Sequence, residues 1–198
     1  AYVDNFRLNL YRGEWHLWFN DEGSILDDVG YDDAIHLCEG SIDDDGRINE
    51  FSINCDEPCD LLADIVRLER LEKIGGTNLR SLPVESLQKL PHLRSLVLVS
   101  SPDLVENFPI HMELKNLKYI EIRSCHLRSS STPLLTWIAK HLPNLEGIDF
   151  SFMKKCSDSI LSALRNLDFC CGENLKELKM FSCGIDSNKL VCLLLEII

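Results

Sequence analysis

Basic residues are almost missing from the first third of this 198-residue chain. Residues 1–64 hold 17 Asp or Glu against only Arg7, Arg12 and Arg47, a balance of −14, whereas residues 65–198 balance at +2 and the whole chain at −12. A phosphate backbone is held by clustered Lys and Arg, so this distribution argues against a nucleic-acid partner. Long hydrophobic runs are absent too. None approaches the roughly 18 residues needed to cross a bilayer, and no membrane partner is expected. Proline (7) and glycine (10) are too sparse for a collagen-like or low-complexity chain. What remains, 45% apolar and 26% charged residues, is the composition of one folded domain with a full core.

Recognisable catalytic chemistry is equally scarce. There is no Gly-rich phosphate loop, HExxH or GxSxG motif, and Gly75-Gly76 lacks the Lys-Ser or Lys-Thr that would follow in a phosphate loop. The six histidines (His16, His36, His92, His111, His126, His141) are dispersed, and a catalytic His needs a positioned partner. Asp43, Asp45, Gly46, Ile48 and Asn49 fall at EF-hand positions 3, 5, 6, 8 and 9, but Ser41 and Ser52 stand where an Asp and the bidentate Glu are required. A hairpin fits better, with Ile35-His36-Leu37 and Arg47 to Ile53 alternating on either side of an Asp-Gly turn. The expectation is therefore a chain with no enzymatic activity, no cofactor, no metal and no catalytic residues.

Nine cysteines suggest a disulfide scaffold only until their positions are read. The number is odd, and several, such as Cys192 in Leu190-Val191-Cys192-Leu193-Leu194, sit inside apolar runs. Cys55 and Cys59 have no second pair and no His doublet to complete a tetrahedral zinc site. Cysteine used as a small buried hydrophobe in a reduced chain is the expectation. The opening residues show no basic n-region followed by an apolar h-region. An intracellular protein, cytoplasmic or nuclear, is the expectation from these readings.

What the chain has in abundance is leucine at a recurring interval. Four segments follow Leu-x-x-Leu-x-x-Leu-x-Leu: Leu90, Leu93, Leu96, Leu98; Leu114, Leu117, Ile120, Ile122; Leu142, Leu145, Ile148, Phe150; and Leu175, Leu178, Met180. Ser101, Cys125, Met153 and Cys183 stand three residues beyond. Weaker members run through Leu68, Leu71, Ile74 and through Ile48, Phe51, Ile53. The marker position falls at 48, 71, 93, 117, 145 and 175, so the steps are 23, 22, 24, 28 and 30 residues. Each unit offers a short period-2 strand and a return connection, and no unit can bury its apolar face alone, so neighbours must stack.

Cys125-His126-Leu127, Thr132-Pro133-Leu134-Leu135, Ile138-Ala139 and Leu142-Pro143-Asn144-Leu145 resemble the cysteine-containing type of leucine-rich repeat, as does the turn Cys183-Gly184-Ile185-Asp186. The earlier unit Leu79-Arg80-Ser81-Leu82-Pro83 resembles the shorter repeats of immune-receptor solenoids. The resemblance implies an α/β fold, a leucine-rich repeat solenoid with a curved parallel sheet and helices or short turns on its convex side. Residues 1–47 read as an acidic N-terminal cap with a β-hairpin reaching to 53. Residues 48–198 read as about six repeat units, open at the apolar C-terminal end, Leu193 to Ile198.

Strands are expected near 50–54, 73–76, 95–99, 119–123, 147–151 and 177–181. Thr132-Pro133 caps a helix to about 141; Ser157 or Asp158 and Asp186 or Ser187 cap two more. Earlier connections have room only for single turns or 3₁₀ turns. Trp15 and Trp18 are expected to anchor the cap on the first unit.

Residues alternating with the buried leucines face the concave side. Among them Val97, Val99, Tyr119 and Phe181 supply apolar surface, and Glu121, Arg123, Asp149 and Lys179 supply charge. Apolar anchors with a charged rim suit a protein interface; a cross-strand ion network is the alternative for the charged four. The expected function is protein–protein interaction on that face, with a second contact through the acidic front or the apolar end. The cysteine-containing type resembles the repeat domains of F-box adaptors, which implies a substrate-recruiting or scaffold subunit of an intracellular complex such as a ubiquitin ligase. An immune-receptor-like sensor or assembly scaffold is the other reading.

Overall fold

A computed structural model of the chain describes residues 9–11, 14–19, 36–45, 47–61, 63–125, 133–142, 144–153 and 174–184. These residues form an α/β fold around one nine-stranded sheet whose strands lie in chain order. Strands β1 (Asn9–Tyr11), β2 (Glu14–Phe19), β3 (His36–Ile42) and the start of β4 (Ile48–Asp60) pair antiparallel. From β4 onward, through β5 (Lys73–Ser81), β6 (Ser95–Val99), β7 (Tyr119–Arg123), β8 (Gly147–Asp149) and β9 (Glu177–Lys179), every pair is parallel.

The β3–β4 hairpin runs further than expected, since His36 pairs with Cys55 beyond residue 53. Its turn is tied by Asp43, whose Oδ1 accepts the amides of Asp45 (3.0 Å) and Arg47 (2.9 Å). That is an Asx-turn use of the aspartate, in which a short side chain closes the backbone on itself.

Parallel register follows the leucine spacing step for step. Glu50, Lys73, Ser95, Tyr119, Gly147 and Glu177 are successive partners, separated by 23, 22, 24, 28 and 30 residues. The alternation that drives this is visible in β6 and β7. Leu96, Leu98, Ile120 and Ile122 are buried, while Val97, Val99, Glu121 and Arg123 are partly exposed. Period-2 burial fixes register, because a one-residue slip would turn every leucine to solvent.

Connections behind the sheet are short, as expected for the early units: a 3₁₀ helix Ala63–Arg67, α1 (Val84–Leu87) and α2 (Pro102–Glu106). The longer connection holds α3 (Pro133–His141). Leu87, Leu104, Val105, Leu134, Leu135, Trp137 and Ile138 are buried against the leucines of the sheet's inner face, which makes one continuous core. Trp137 is fully enclosed. Its ring lies 4.7 Å from that of Phe108, and its Nε1–H donates to the Met112 carbonyl at 2.6 Å. The two further helices expected after 157 and 186 lie outside the described residues, as does Thr132.

Cys125 and Cys183 are free and buried. Cys55 departs from the reduced-thiol expectation, because it is disulfide-bonded. Three buried cysteines thus divide between packing and cross-linking, which chain position alone does not distinguish.

Candidate functional site

Strands β6 to β9 are laid down by the same backbone device. At the strand entrance one carbonyl accepts two consecutive amides of the next strand: Glu72 from Arg94 and Ser95, Arg94 from Lys118 and Tyr119, Lys118 from Glu146 and Gly147, Glu146 from Lys176 and Glu177. At the exit end, at the same level of β5 to β9, a residue with positive φ redirects the chain, within β5 at Asn78 and just past the end of the four later strands. These residues are Asn78 (57°), Ser100 (46°), Ser124 (54°), Phe152 (62°) and Ser182 (55°), each five positions after the register residue of its strand. The next side chain, at 79, 101, 125, 153 or 183, points back into the core and is buried. Cys183 Sγ donates to the Phe150 carbonyl at 2.8 Å. Ser101 serves where a cysteine stands elsewhere: its hydroxyl accepts the Leu79 amide at 2.9 Å and donates to the Val99 carbonyl at 2.8 Å.

Between entrance and exit lies the solvent face of the sheet, and it carries all eight residues expected to bind a partner. Val97 and Val99 are half-buried on β6. Tyr119 on β7 is 40% exposed and Phe181, just past β9, is 67% exposed. The Tyr119 ring lies over Gly147, where an added Cβ would come within 2.7 Å of it. Glycine therefore makes the seat for the aromatic.

The charged residues are occupied with one another. Arg123 reaches Asp149 through Nε (2.8 Å) and a terminal nitrogen (2.7 Å), and reaches Glu121 at 2.9 Å. Asp149 is buried and its Oδ1 also accepts the Ser151 amide at 2.8 Å. Burial alone would raise its carboxyl pKa; the Ser151 hydroxyl and amide and then Arg123 outweigh that and hold it below the usual range. Asp149 thus offers almost no surface to a partner, in contrast to its expected place in the interface, and Arg123 is largely committed to it. Lys179 pairs with Glu177 at 3.0 Å, which raises its pKa.

A groove of about 370 Å³ opens on the same face and is lined in part by Ser41, Ser52, Lys73, Gly75, Val97 and Arg123. Its floor exists because Gly75 has no side chain; a Cβ there would stand 2.4 Å from the Val97 carbonyl oxygen. Sequence reasoning placed Val97 and Arg123 here but missed the contribution of Ser41 from the hairpin. It also missed Phe152, which is 49% exposed. Of the five positive-φ corners one holds Asn, which visits the left-handed region more readily; at Ser100, Ser124, Phe152 and Ser182 that conformation costs about 1 kcal/mol or more. The signal was available as the residue preceding Ser101, Cys125, Met153 and Cys183.

Among the described residues, no group of three or more His, Cys, Asp or Glu is placed to hold a metal ion. No helix among them is long and apolar enough to cross a membrane. Compared with known proteins, the chain matches no family model, no curated protein and no solved structure.

Proposed function

We propose that this chain is a leucine-rich repeat solenoid that binds another protein on the open face of its parallel sheet, without catalytic activity. The observation that carries the reading is the coincidence of two regularities. Register steps of 22 to 30 residues recur between successive strands, and large apolar side chains stand exposed at Tyr119 and Phe181 on the face those strands share. A merely solvated sheet gains nothing from leaving an aromatic 67% exposed, whereas aromatic side chains ringed by polar ones are what protein interfaces concentrate.

A ubiquitin-ligase subunit is the most specific version and rests on the resemblance of the cysteine-containing repeats. The disulfide at Cys55 favours the alternative, a sensor or assembly scaffold matured in an oxidising compartment, since reducing cytosol seldom retains structural disulfides. Affinity capture from native extract with wild type and with a Tyr119→Ala/Phe181→Ala variant tests the common claim. Partners retained by the wild type and lost by the variant, at equal thermal stability, support it. An identical set of partners on both would refute it. Cullin-type components among the lost partners would select the ligase version.

A further inference from the structure

The strand-entrance rim carries a second regular row, one residue before the register positions. Glu72, Arg94, Lys118, Glu146 and Lys176 stand side by side, each carbonyl accepting the amide of the next at 2.7 or 2.8 Å. Glu146 pairs with both of its lysine neighbours, Lys118 and Lys176. Arg94 behaves otherwise. It makes no ion pair among the described residues, although Glu72 stands on the adjoining strand. Instead it lines a pocket of about 400 Å³, whose wall also includes Lys115, Asn116, Lys118, Asn144 and Glu146. The charged lining is three cations against one carboxylate, a balance of +2 in a chain of −12. Like charges on adjoining strands repel, so folding gains nothing from setting Arg94 beside Lys115 and Lys118 rather than on Glu72.

We propose that this rim pocket is an anion site, separate from the open face of the sheet, and that it takes a phosphate monoester group. Charge selects the ligand. A phosphate monoester carries close to two negative charges at neutral pH, which matches the balance of the lining. Arg94 offers a planar fork that engages two oxygens at once, and the lysines add point charges. Lys115 is held only by Glu113, outside the pocket, at 3.1 Å, and both side chains are more than half exposed. Such a surface pair contributes little, so a ligand displaces it readily. Asn116 gives one amide hydrogen to the Pro91 carbonyl at 2.9 Å and keeps the other. These donors outnumber the two oxygens of a carboxylate and suit the three free oxygens of a phosphate. Glu146, already held by Lys118 and Lys176, repels an anion and confines it to the side of Arg94 and Lys115.

The test is to titrate the isotope-labelled full chain with inorganic phosphate at neutral pH, holding ionic strength constant with sodium chloride. The amide resonances of Arg94, Lys115, Asn116 and Lys118 should shift and saturate, and acetate, the carboxylate probe, should bind at least fivefold more weakly. Arg94→Gln and Lys115→Gln should each weaken phosphate binding fivefold or more at an unchanged thermal midpoint. Arg80→Gln, the same loss of charge away from the pocket, should stay within twofold. Glu146→Gln removes the repelling carboxylate and frees two ammonium groups, so it should tighten binding twofold or more. A pentapeptide with one phosphoserine among glycines separates the sources of the group: tighter binding than inorganic phosphate assigns a modified protein, and equal or weaker binding assigns a small phosphate compound. The proposal is overturned if neither probe gives a saturable shift at these residues, or if acetate binds as tightly as phosphate. It is overturned equally if Arg80→Gln loses as much as Arg94→Gln, which would make the effect one of net charge, or if Glu146→Gln fails to tighten binding.

Discussion

Asp149 occupies an outward register position and is nevertheless buried, because the Arg123 guanidinium from the neighbouring strand lies across it and Ser151 closes behind it. Alternation along a strand tells which way a side chain starts, but the cover comes from a residue 26 positions earlier, which no local pattern reveals. The eight expected face residues are all on the sheet face for the same reason that four of them were read as charges available to a partner: period two is local, pairing is not. Truncating Arg123→Ala strands a buried carboxylate. Breaking a fully buried pair costs roughly 3–5 kcal/mol; since Arg123 is 39% exposed, about 2 kcal/mol is expected in urea unfolding, against no more than about 0.5 for an ordinary surface change. Glu146, half-buried, shows the same kind of pairing. Hydrogen bonds from Lys118 and Lys176 lower its pKa to about 2. Its folded pKa lies below its unfolded one, so its contribution is present above pH about 4.5 and is lost as the pH falls toward 2. Glu146→Gln should flatten the acid limb of the stability curve in that window, and added salt should reduce the difference. A variant titrating like wild type would show that the crosslinked triad contributes nothing to folding.

Strand positions were legible at the scale of elements because leucines mark the buried alternation and recur at intervals that only stacking satisfies. The expected strand near 73–76 proves longer, reaching Ser81, and those near 147–151 and 177–181 prove shorter. Strands β6 and β7 stop directly before the positive-φ corners Ser100 and Ser124, whereas β5 runs on past Asn78, a difference that the residue types do not announce. Two glycines separate structural need from functional shape. At Gly75 a Cβ would meet the backbone of β6 at 2.4 Å, and backbone cannot move aside. Overpacking of that kind costs about 1–3 kcal/mol, so Gly75→Ala should shift the unfolding midpoint clearly. At Gly147 the obstacle is the Tyr119 ring, which can rotate away. Gly147→Ala should therefore change stability by less than about 1 kcal/mol, at the low edge of that range, while weakening any partner that uses Tyr119. Equal destabilisation by both variants would mean that the ring, too, is locked in place.

Across the whole molecule the decisive junction is β4, antiparallel to β3 on one side and parallel to β5 on the other. Strand β3 thus pairs along an edge of β4 that would otherwise present unpaired amides and carbonyls beside partly buried Phe51 and the buried Ile53. Open edges of this kind template pairing between chains. The acidic composition adds a second protection, since like-charged molecules repel. A chain beginning at Gly46 loses both, retaining the core of β5 to β9 intact but exposing β4. It should fold with the same buried leucines, associate in a concentration-dependent way, and do so more readily as salt screens the remaining charge. Light scattering and sedimentation at several concentrations, beside circular dichroism for fold content, read these outcomes. If the shortened protein stays monomeric and melts with the full chain, the front strands are not a cap, and their acidic face exists for a partner. If it fails to fold at all, the hairpin that joins Asp43 to Arg47 belongs to the nucleus of the sheet rather than to its border.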